Sequence, residues 1–99
     1  IKEAAVREKP VLGICVGMQM LFDVSHEFGE TPGLGLIAGS VSRIPTVNDR
    51  GERYKIPHIG WSPLCLPRGC NGWGGTPLAG IDPGAEVYFV HSYAAQPVN

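Results

Sequence analysis

A short apolar run next to a glycine most limits what this chain can fold into. Residues 11–16 contain only aliphatic residues, one glycine and one cysteine, and Gly17 follows them. Such a run is typical of a strand that is buried on both faces of a parallel sheet. The second apolar stretch, over residues 18–24, predicts a helix that begins at Gly17. The order strand, tight turn, helix favours an α/β fold with a parallel sheet.

The start of the chain predicts a helix. Over residues 1–9, Glu3 and Arg7 have the i,i+4 spacing of an exposed helical ion pair, and Pro10 ends the helix. No capping residue precedes this helix, and the chain stops soon after a strand-like run. We therefore expect a piece of a longer protein, truncated at both ends.

The rest of the chain is expected to consist of strands and loops. Residues 40–45 and 53–59 are interpreted as a hairpin or two neighbouring antiparallel strands, because residues 48–51 are a strong turn signal. Nine of the 19 residues from 66 to 84 are Gly or Pro, which predicts a long loop. Residues 85–93 are rich in β-branched and aromatic side chains, which predicts a strand.

Composition excludes several classes of protein. The formal net charge is −1, from 8 Lys+Arg against 9 Asp+Glu, whereas nucleic acid and anionic membranes require a basic surface. No apolar run approaches the ~20 residues that span a bilayer. Three cysteines cannot all be paired in disulfides. We expect a cytoplasmic protein from a reducing compartment, without nucleic acid or membrane as a partner.

Residues 13–17 have the form G-x-C-x-G at the expected junction of strand and helix. The equivalent serine motif places a nucleophile on a strained strand-to-helix turn, which makes Cys15 a candidate catalytic nucleophile. A side chain at Gly13 or Gly17 is expected to collide with the neighbouring elements. The helix N-terminus would stabilise a thiolate, and the backbone N–H of Val16 would donate to an oxyanion. The alternative is a buried structural cysteine between two glycines that allow close helix packing.

A cysteine nucleophile usually requires a histidine base. His26 lies in a polar stretch and is expected to be solvated, and His58 is interpreted as a residue that anchors a strand end. His91 ends the last predicted strand, so spacing alone selects it as the base. Cys65 and Cys70 have no second cysteine pair and no histidine nearby, so no metal site is expected.

Two tryptophans lie on loop-like segments of the sequence. Trp61 and Trp73 each have glycine as a neighbour, and an exposed tryptophan in such a segment indicates an interface as readily as a core.

Four blocks of sequence together carry a family resemblance. They are KPVLGICVGMQ at 9–19, EFG at 27–29 running into PGLGLI at 32–37, PHIGW at 57–61 and VYFVHSY at 87–93. The first is similar to the nucleophile segment of the triad, or class I, glutamine amidotransferases. The set of four resembles the glutaminase (HisH-type) subunit of imidazole glycerol phosphate synthase, in the order of that family.

The resemblance implies a mechanism and a partner. Cys15 would attack the side-chain amide of glutamine, form a glutamyl thioester and release ammonia, with the Val16 N–H as an oxyanion donor. Ammonia would pass to a (β/α)8-barrel cyclase of the HisF type, the other subunit of a heterodimer in histidine biosynthesis, and residues 57–62 would lie near it. No cofactor is implied. The residues that would hold the substrate glutamine are Gln19, His91, Ser92 and Tyr93.

The resemblance also implies a fold and a division of the catalytic residues. Residues 1–99 would be the central portion of a single class I amidotransferase domain with a partial flavodoxin-like fold. The family's catalytic histidine precedes Pro and Glu, whereas no histidine in this chain is followed by Pro. The base and its carboxylate would therefore lie beyond Asn99, which replaces His91 as the choice and makes this piece inactive alone. Ser62 stands where the family usually has Asn, and residues 65–75 match no part of the family.

Three other functions remain open at this point. The chain could belong to a glutaminase that serves another synthase, although the PHIGW block argues against this. It could be a non-catalytic α/β module that binds a partner. It could also be a cysteine-dependent redox protein or hydrolase, which would leave Gln19 and the His-Ser-Tyr segment unexplained.

Overall fold

The computed structural model describes residues 1–98, which divide into two compact units. The first unit contains residues 1–54 and 92–98, and the second contains residues 55–91. Within the described residues, every helix falls short of the length and apolarity that crossing a bilayer requires. The elements, in chain order, are α1 (Lys2–Val6), α2 (Val16–Gln19), β1 (Phe22–Ser25), β2 (Thr31–Pro32), β3 (Ile37–Arg43), β4 (His58–Pro63), β5 (Glu86–His91) and β6 (Tyr93–Pro97).

The first helix forms where the sequence predicts it. Helix α1 is five residues long, and the guanidinium of Arg7 lies 2.7 Å from the carboxylate of Glu3, as the i,i+4 spacing predicts. Both side chains are largely exposed, so this pair stabilises the helix by only about 0.3–0.5 kcal/mol. The helix ends at Val6, before Pro10 is reached.

The prediction of a buried strand over residues 11–16 is wrong. Residues 11–14 have no regular secondary structure, and the side chain of Ile14 is 75% exposed. A doubly buried strand needs a neighbouring strand on each side and helices over both faces, and no strand among residues 1–98 pairs with this segment. The predicted helix from Gly17 is also too long, because α2 ends at Gln19 and β1 begins at Phe22.

The first unit is built on a mixed four-stranded sheet with the strand order β2-β1-β3-β6. Strands β1 and β3 are parallel, with Phe22 opposite Ile37, whereas β2 and β6 are antiparallel to their neighbours. The sheet is therefore not the parallel one that the sequence predicts. Val41 at the centre of β3 is fully buried, and the core also contains Leu21 and Phe22.

The turn over residues 48–51 is present, but the strands predicted around it do not form a hairpin. The side-chain oxygen of Asn48 accepts hydrogen bonds from the N–H groups of Arg50 and Glu52, which closes the turn. A single bridge between Val47 and Arg53 flanks it. Strand β3 pairs with β1 and β6, because those pairings bury Val41, and β4 pairs with β5 in the second unit.

The second unit is an antiparallel pair of strands with a long loop. Strands β4 and β5 pair from His58↔His91 to Pro63↔Glu86. Residues 66–84, between the two strands, contain turns and bends but no helix or strand, which confirms the predicted loop. Half-buried and exposed residues alternate along both strands, so the pair has one partly covered face and one open face.

Gly33 allows the chain after β2 to pass close to β1. Its N–H donates to the carbonyl of Asp23 at 2.8 Å, and a Cβ atom at this position would clash with the carbonyl oxygen of Phe22. Gly33→Ala should lower the free energy of unfolding by about 2 kcal/mol, the usual cost of forcing backbone apart. Gly72→Ala is the control, because Gly72 faces open space. Equal losses in urea unfolding would contradict the close approach.

Candidate functional site

Cys15 lies on a strained turn directly before α2. Its backbone has φ 55° and ψ −126°, a combination that residues with a side chain rarely adopt. The N–H of Gly17 donates to the carbonyl of Ile14 at 3.0 Å, and the N–H of Met18 donates to that of Cys15 at 3.1 Å. These bonds start the helix immediately after the cysteine. The strained turn of a nucleophile elbow is thus present, although no strand leads into it.

The two glycines of the motif differ in their surroundings. A Cβ atom on Gly13 would lie 2.7 Å from the Cα atom of Met18, so a larger residue would displace the first turn of α2. A Cβ atom on Gly17 would meet nothing within 4 Å. The expected collision is therefore confirmed at Gly13 and wrong at Gly17, because the described structure leaves that side of α2 uncovered.

The thiol of Cys15 is accessible. Cys15, Cys65 and Cys70 are all free and exposed, so Cys15 is not the buried structural cysteine of the alternative interpretation. The backbone N–H of Val16 donates to no acceptor within residues 1–98. An accessible thiol thus lies beside a backbone N–H that is available to a ligand, which is the arrangement that oxyanion stabilisation requires.

A pocket of about 230 Å³ opens in the first unit beside the elbow. Among the described residues that line it, Glu27 is the one charged group. No role for Glu27 is predicted from the sequence, although Glu27 begins the EFG block that follows the apolar stretch. The residues that line the pocket are Val16, Gln19, Met20, Ser25, Glu27, Thr31, Pro32, Gly33 and Leu34.

Two residues of this pocket are hydrogen-bonded to Tyr93, the first residue of β6. The amide nitrogen Nε2 of Gln19 donates to the carbonyl oxygen of Tyr93 at 3.3 Å. The hydroxyl of Tyr93 donates to the backbone carbonyl of Glu27 at 3.2 Å. The carbonyl of Ser92 accepts a hydrogen bond from the N–H of Ile44 at 2.9 Å. The structure therefore brings Gln19 and Tyr93 together, as two of the four residues expected to bind one ligand.

The histidines are divided between the two units. His26 belongs to the first and is exposed, as predicted. In the second unit, Nδ1 of His58 lies 3.0 Å from Nε2 of His91, and the hydroxyl of Ser62 lies 3.2 Å from Nε2 of His58. His58 thus anchors the start of β4, as predicted. His91 forms part of this histidine pair rather than standing alone at a strand end.

The open face of β4 and β5 carries large apolar side chains. Trp61 is 67% exposed, and its ring packs edge-to-face on Tyr88 with a centroid distance of 5.5 Å. A tryptophan this exposed on regular structure is typical of a binding surface. Within residues 1–98, no three metal-ligating side chains cluster. The exposed sheet face consists of Ile59, Trp61, Tyr88 and Val90.

Comparison with known proteins yields a consistent set of relatives. The family model for class-I glutamine amidotransferases matches residues 1–99. The imidazole glycerol phosphate synthase subunit HisH 1 of Legionella pneumophila (strain Lens) is 48% identical over 99 residues, which are 100% of this chain and 46% of that protein. The HisH subunit of Geobacillus thermodenitrificans is 49% identical over 98 residues, 98% of this chain and 43% of that protein. The chain spans about half the length of the curated relatives it matches.

The different surroundings of the two elbow glycines can be tested by alanine substitution. Gly13→Ala should lower the free energy of unfolding by about 1–3 kcal/mol, because its methyl group meets the backbone of Met18. Gly17→Ala should be neutral or stabilise by up to about 1 kcal/mol, because alanine favours the helix. Chemical denaturation of both variants measures the difference. A larger loss at Gly17 than at Gly13 would contradict the elbow described above.

Proposed function

The chain belongs to the class-I glutamine amidotransferase family, and from that premise we propose that it carries the nucleophile and part of the substrate pocket of a glutaminase. One observation carries the proposal. Cys15 has the strained backbone of a nucleophile elbow and an exposed thiol, and the next residue lines a pocket that also contains Gln19 and Glu27. Strain of this kind costs about 1–3 kcal/mol and persists where function requires it.

The proposed reaction begins with the thiolate of Cys15, which attacks the carboxamide carbon of glutamine. The resulting oxyanion accepts a hydrogen bond from the N–H of Val16. The general base that took the thiol proton returns it to the nitrogen as the C–N bond breaks, and ammonia leaves. Water then hydrolyses the thioester to glutamate. The general base and its carboxylate are proposed to come from outside residues 1–99, since no histidine in this chain is followed by Pro.

The pocket suits a zwitterionic amino acid. The carboxylate of Glu27 can accept hydrogen bonds from the α-ammonium group of glutamine, and the amide of Gln19 can contact its polar atoms. Tyr93 already contacts Gln19 through its carbonyl, so the segment His91, Ser92 and Tyr93 is proposed to complete the substrate contacts. The described pocket contains no positively charged residue that could instead select an anion.

The similarity to HisH subunits supports one enzyme among those that use class-I amidotransferases. The identities of 48% and 49% to two HisH subunits, over nearly the whole chain, support a glutaminase subunit of imidazole glycerol phosphate synthase in histidine biosynthesis. The partner would be a (β/α)8-barrel cyclase of the HisF type, which receives the ammonia in a cytoplasmic heterodimer with lyase activity. Residues 1–99 would form the central portion of one amidotransferase domain with a partial flavodoxin-like sheet, since the family match is continuous over all of them.

The exposed sheet face is proposed to contact the cyclase. It lies on the strand that contains most of residues 57–62, and it offers two aromatic side chains already packed against one another. Aromatic residues held in this way lose little side-chain entropy when a partner covers them. Ser62 lies on the opposite face, with its hydroxyl near His58, so its difference from the family's Asn does not alter the exposed face.

Replacing the nucleophile should separate the two halves of the reaction. In the full-length protein with its cyclase, Cys15→Ser should lower glutamine-dependent activity on the order of 1,000-fold or more, because serine is not activated there. Synthesis from added ammonium should persist. Cys65→Ser, which removes another exposed thiol, is the matched control. Glutamate release that survives Cys15→Ser would refute the assignment of Cys15 as the nucleophile.

The proposed contact between the exposed sheet face and the cyclase can be tested separately from the reaction. Trp61→Ala should weaken the affinity for the cyclase about 30-fold, the effect expected when a central interface tryptophan worth about 2 kcal/mol is truncated. Tyr54→Ala is the control, because Tyr54 is an aromatic residue of the first unit that is 52% exposed. The dissociation constant can be measured by titration calorimetry. An unchanged affinity after Trp61→Ala would exclude this face from the interface.

A further inference from the structure

We propose that Tyr93 is a positioning residue, whose hydroxyl holds the Glu27 side of the pocket in place for the α-ammonium group of the substrate. The inference rests on the proposed function and assigns a separate role to one atom of the His-Ser-Tyr segment. Tyr93 joins two parts of the same pocket: its carbonyl accepts from Gln19, and its hydroxyl donates to the carbonyl of Glu27.

The position of Tyr93 is set by the sheet rather than by the pocket. Tyr93 stands opposite Arg43 at the start of the β3–β6 pairing, and the carbonyl of Ser92 before it accepts from the N–H of Ile44. Backbone pairing of this kind holds a residue in place whether or not a ligand is bound. The backbone of Tyr93 is therefore held by the sheet while its hydroxyl bonds to Glu27.

The stretch that contains Glu27 lies outside the named strands, so hydrogen bonds to distant residues matter more for its position than for that of Tyr93. It follows β1 and is exposed. The N–H of Glu27 makes a long contact of 3.4 Å with the hydroxyl of Ser25, and one isolated bridge joins Glu27 to Gly29. The N–H of His26 donates to the carbonyl of Val41 at 2.9 Å, which holds the preceding residue against the sheet. The Tyr93 hydroxyl adds a bond at Glu27 itself, at a distance of 66 residues along the chain.

The bond from the Tyr93 hydroxyl to Glu27 can be removed without removing a group that would contact the substrate. The hydroxyl bonds to the main chain of Glu27, so Tyr93→Phe removes the bond while leaving the carboxylate of Glu27 and the carbonyl that serves Gln19 in place. The consequence falls on substrate binding, because Glu27 would meet the α-ammonium group and not the carboxamide that Cys15 attacks. Tyr93 thus acts through Glu27, and its effect requires the charge of that side chain.

A double-mutant cycle tests this dependence in the full-length protein with its cyclase. Tyr93→Phe should raise the KM for glutamine about five-fold, the effect of losing one neutral hydrogen bond, with kcat changed less than about two-fold. In the Glu27→Gln background the same substitution should change KM less than about 1.5-fold. The dissociation constant of glutamine, measured in a Cys15→Ser background that cannot turn over, should follow the same pattern. Tyr54→Phe is the control, because Tyr54 is an exposed tyrosine of the same unit.

Failure of the role proposed for Tyr93 and failure of the proposed glutaminase function give different results. A full-length protein that releases no glutamate from glutamine overturns the proposed function, and the inference with it. An active protein in which Tyr93→Phe leaves KM unchanged overturns the inference alone. An equal rise in KM in the native and Glu27→Gln backgrounds also overturns it, because a merely structural role for the hydroxyl would add to the loss of the carboxylate.

Discussion

Parallel pairing of β1 with β3 is the constraint on which the first unit depends. It places Phe22 opposite Ile37 and buries Val41 completely at the centre of the sheet. To reach this register, the chain between the two strands must run back beside β1. The N–H of Leu34 therefore donates to the carbonyl of Met20, and the N–H of Gly35 donates to the carbonyl of Phe22. The close approach at Gly33 is a consequence, because only glycine leaves room for the carbonyl of Phe22.

The elbow is connected to this sheet through a very short helix. Helix α2 ends at Gln19, and β1 begins at Phe22, so the position of the sheet also sets the position of Cys15. Strain at Cys15 costs about 1–3 kcal/mol, and the backbone bonds of the first helical turn offset part of it. The same short connection explains why Gln19 and Glu27, on either side of β1, line one pocket.

The two units present different kinds of surface. The first carries an exposed thiol beside a pocket that contains a carboxylate and an amide, which are groups suited to a small polar ligand. The second presents Trp61 and Tyr88 on an open sheet face, which is suited to a protein partner, while its other face carries the His58–His91 pair. The proposed function, a glutaminase that passes ammonia to a second enzyme, would use both kinds of surface, and each is contained within one unit.

What the sequence determined by itself is local. The strained turn at Cys15, the ion pair between Glu3 and Arg7, the long glycine-rich loop and the strand over Glu86–His91 all follow from short-range sterics, charge spacing and side-chain shape. The G-x-C-x-G motif identified the nucleophile candidate because a turn of that kind is encoded by adjacent residues. It also suggested a collision at Gly17 that the packing does not produce.

Only the tertiary structure decided the rest. Residues 22–24 end the apolar stretch that predicts a helix, yet they belong to β1, because pairing with β3 satisfies their backbone groups and buries Phe22. Residues 11–14 have the composition of a buried strand but find no strand to pair with among residues 1–98. The link from Tyr93 to Glu27 joins residues far apart in the chain, so no local pattern could encode it. The register between paired strands determines which backbone and side-chain groups can form hydrogen bonds with one another. That register is defined only when the strands pair in the tertiary structure.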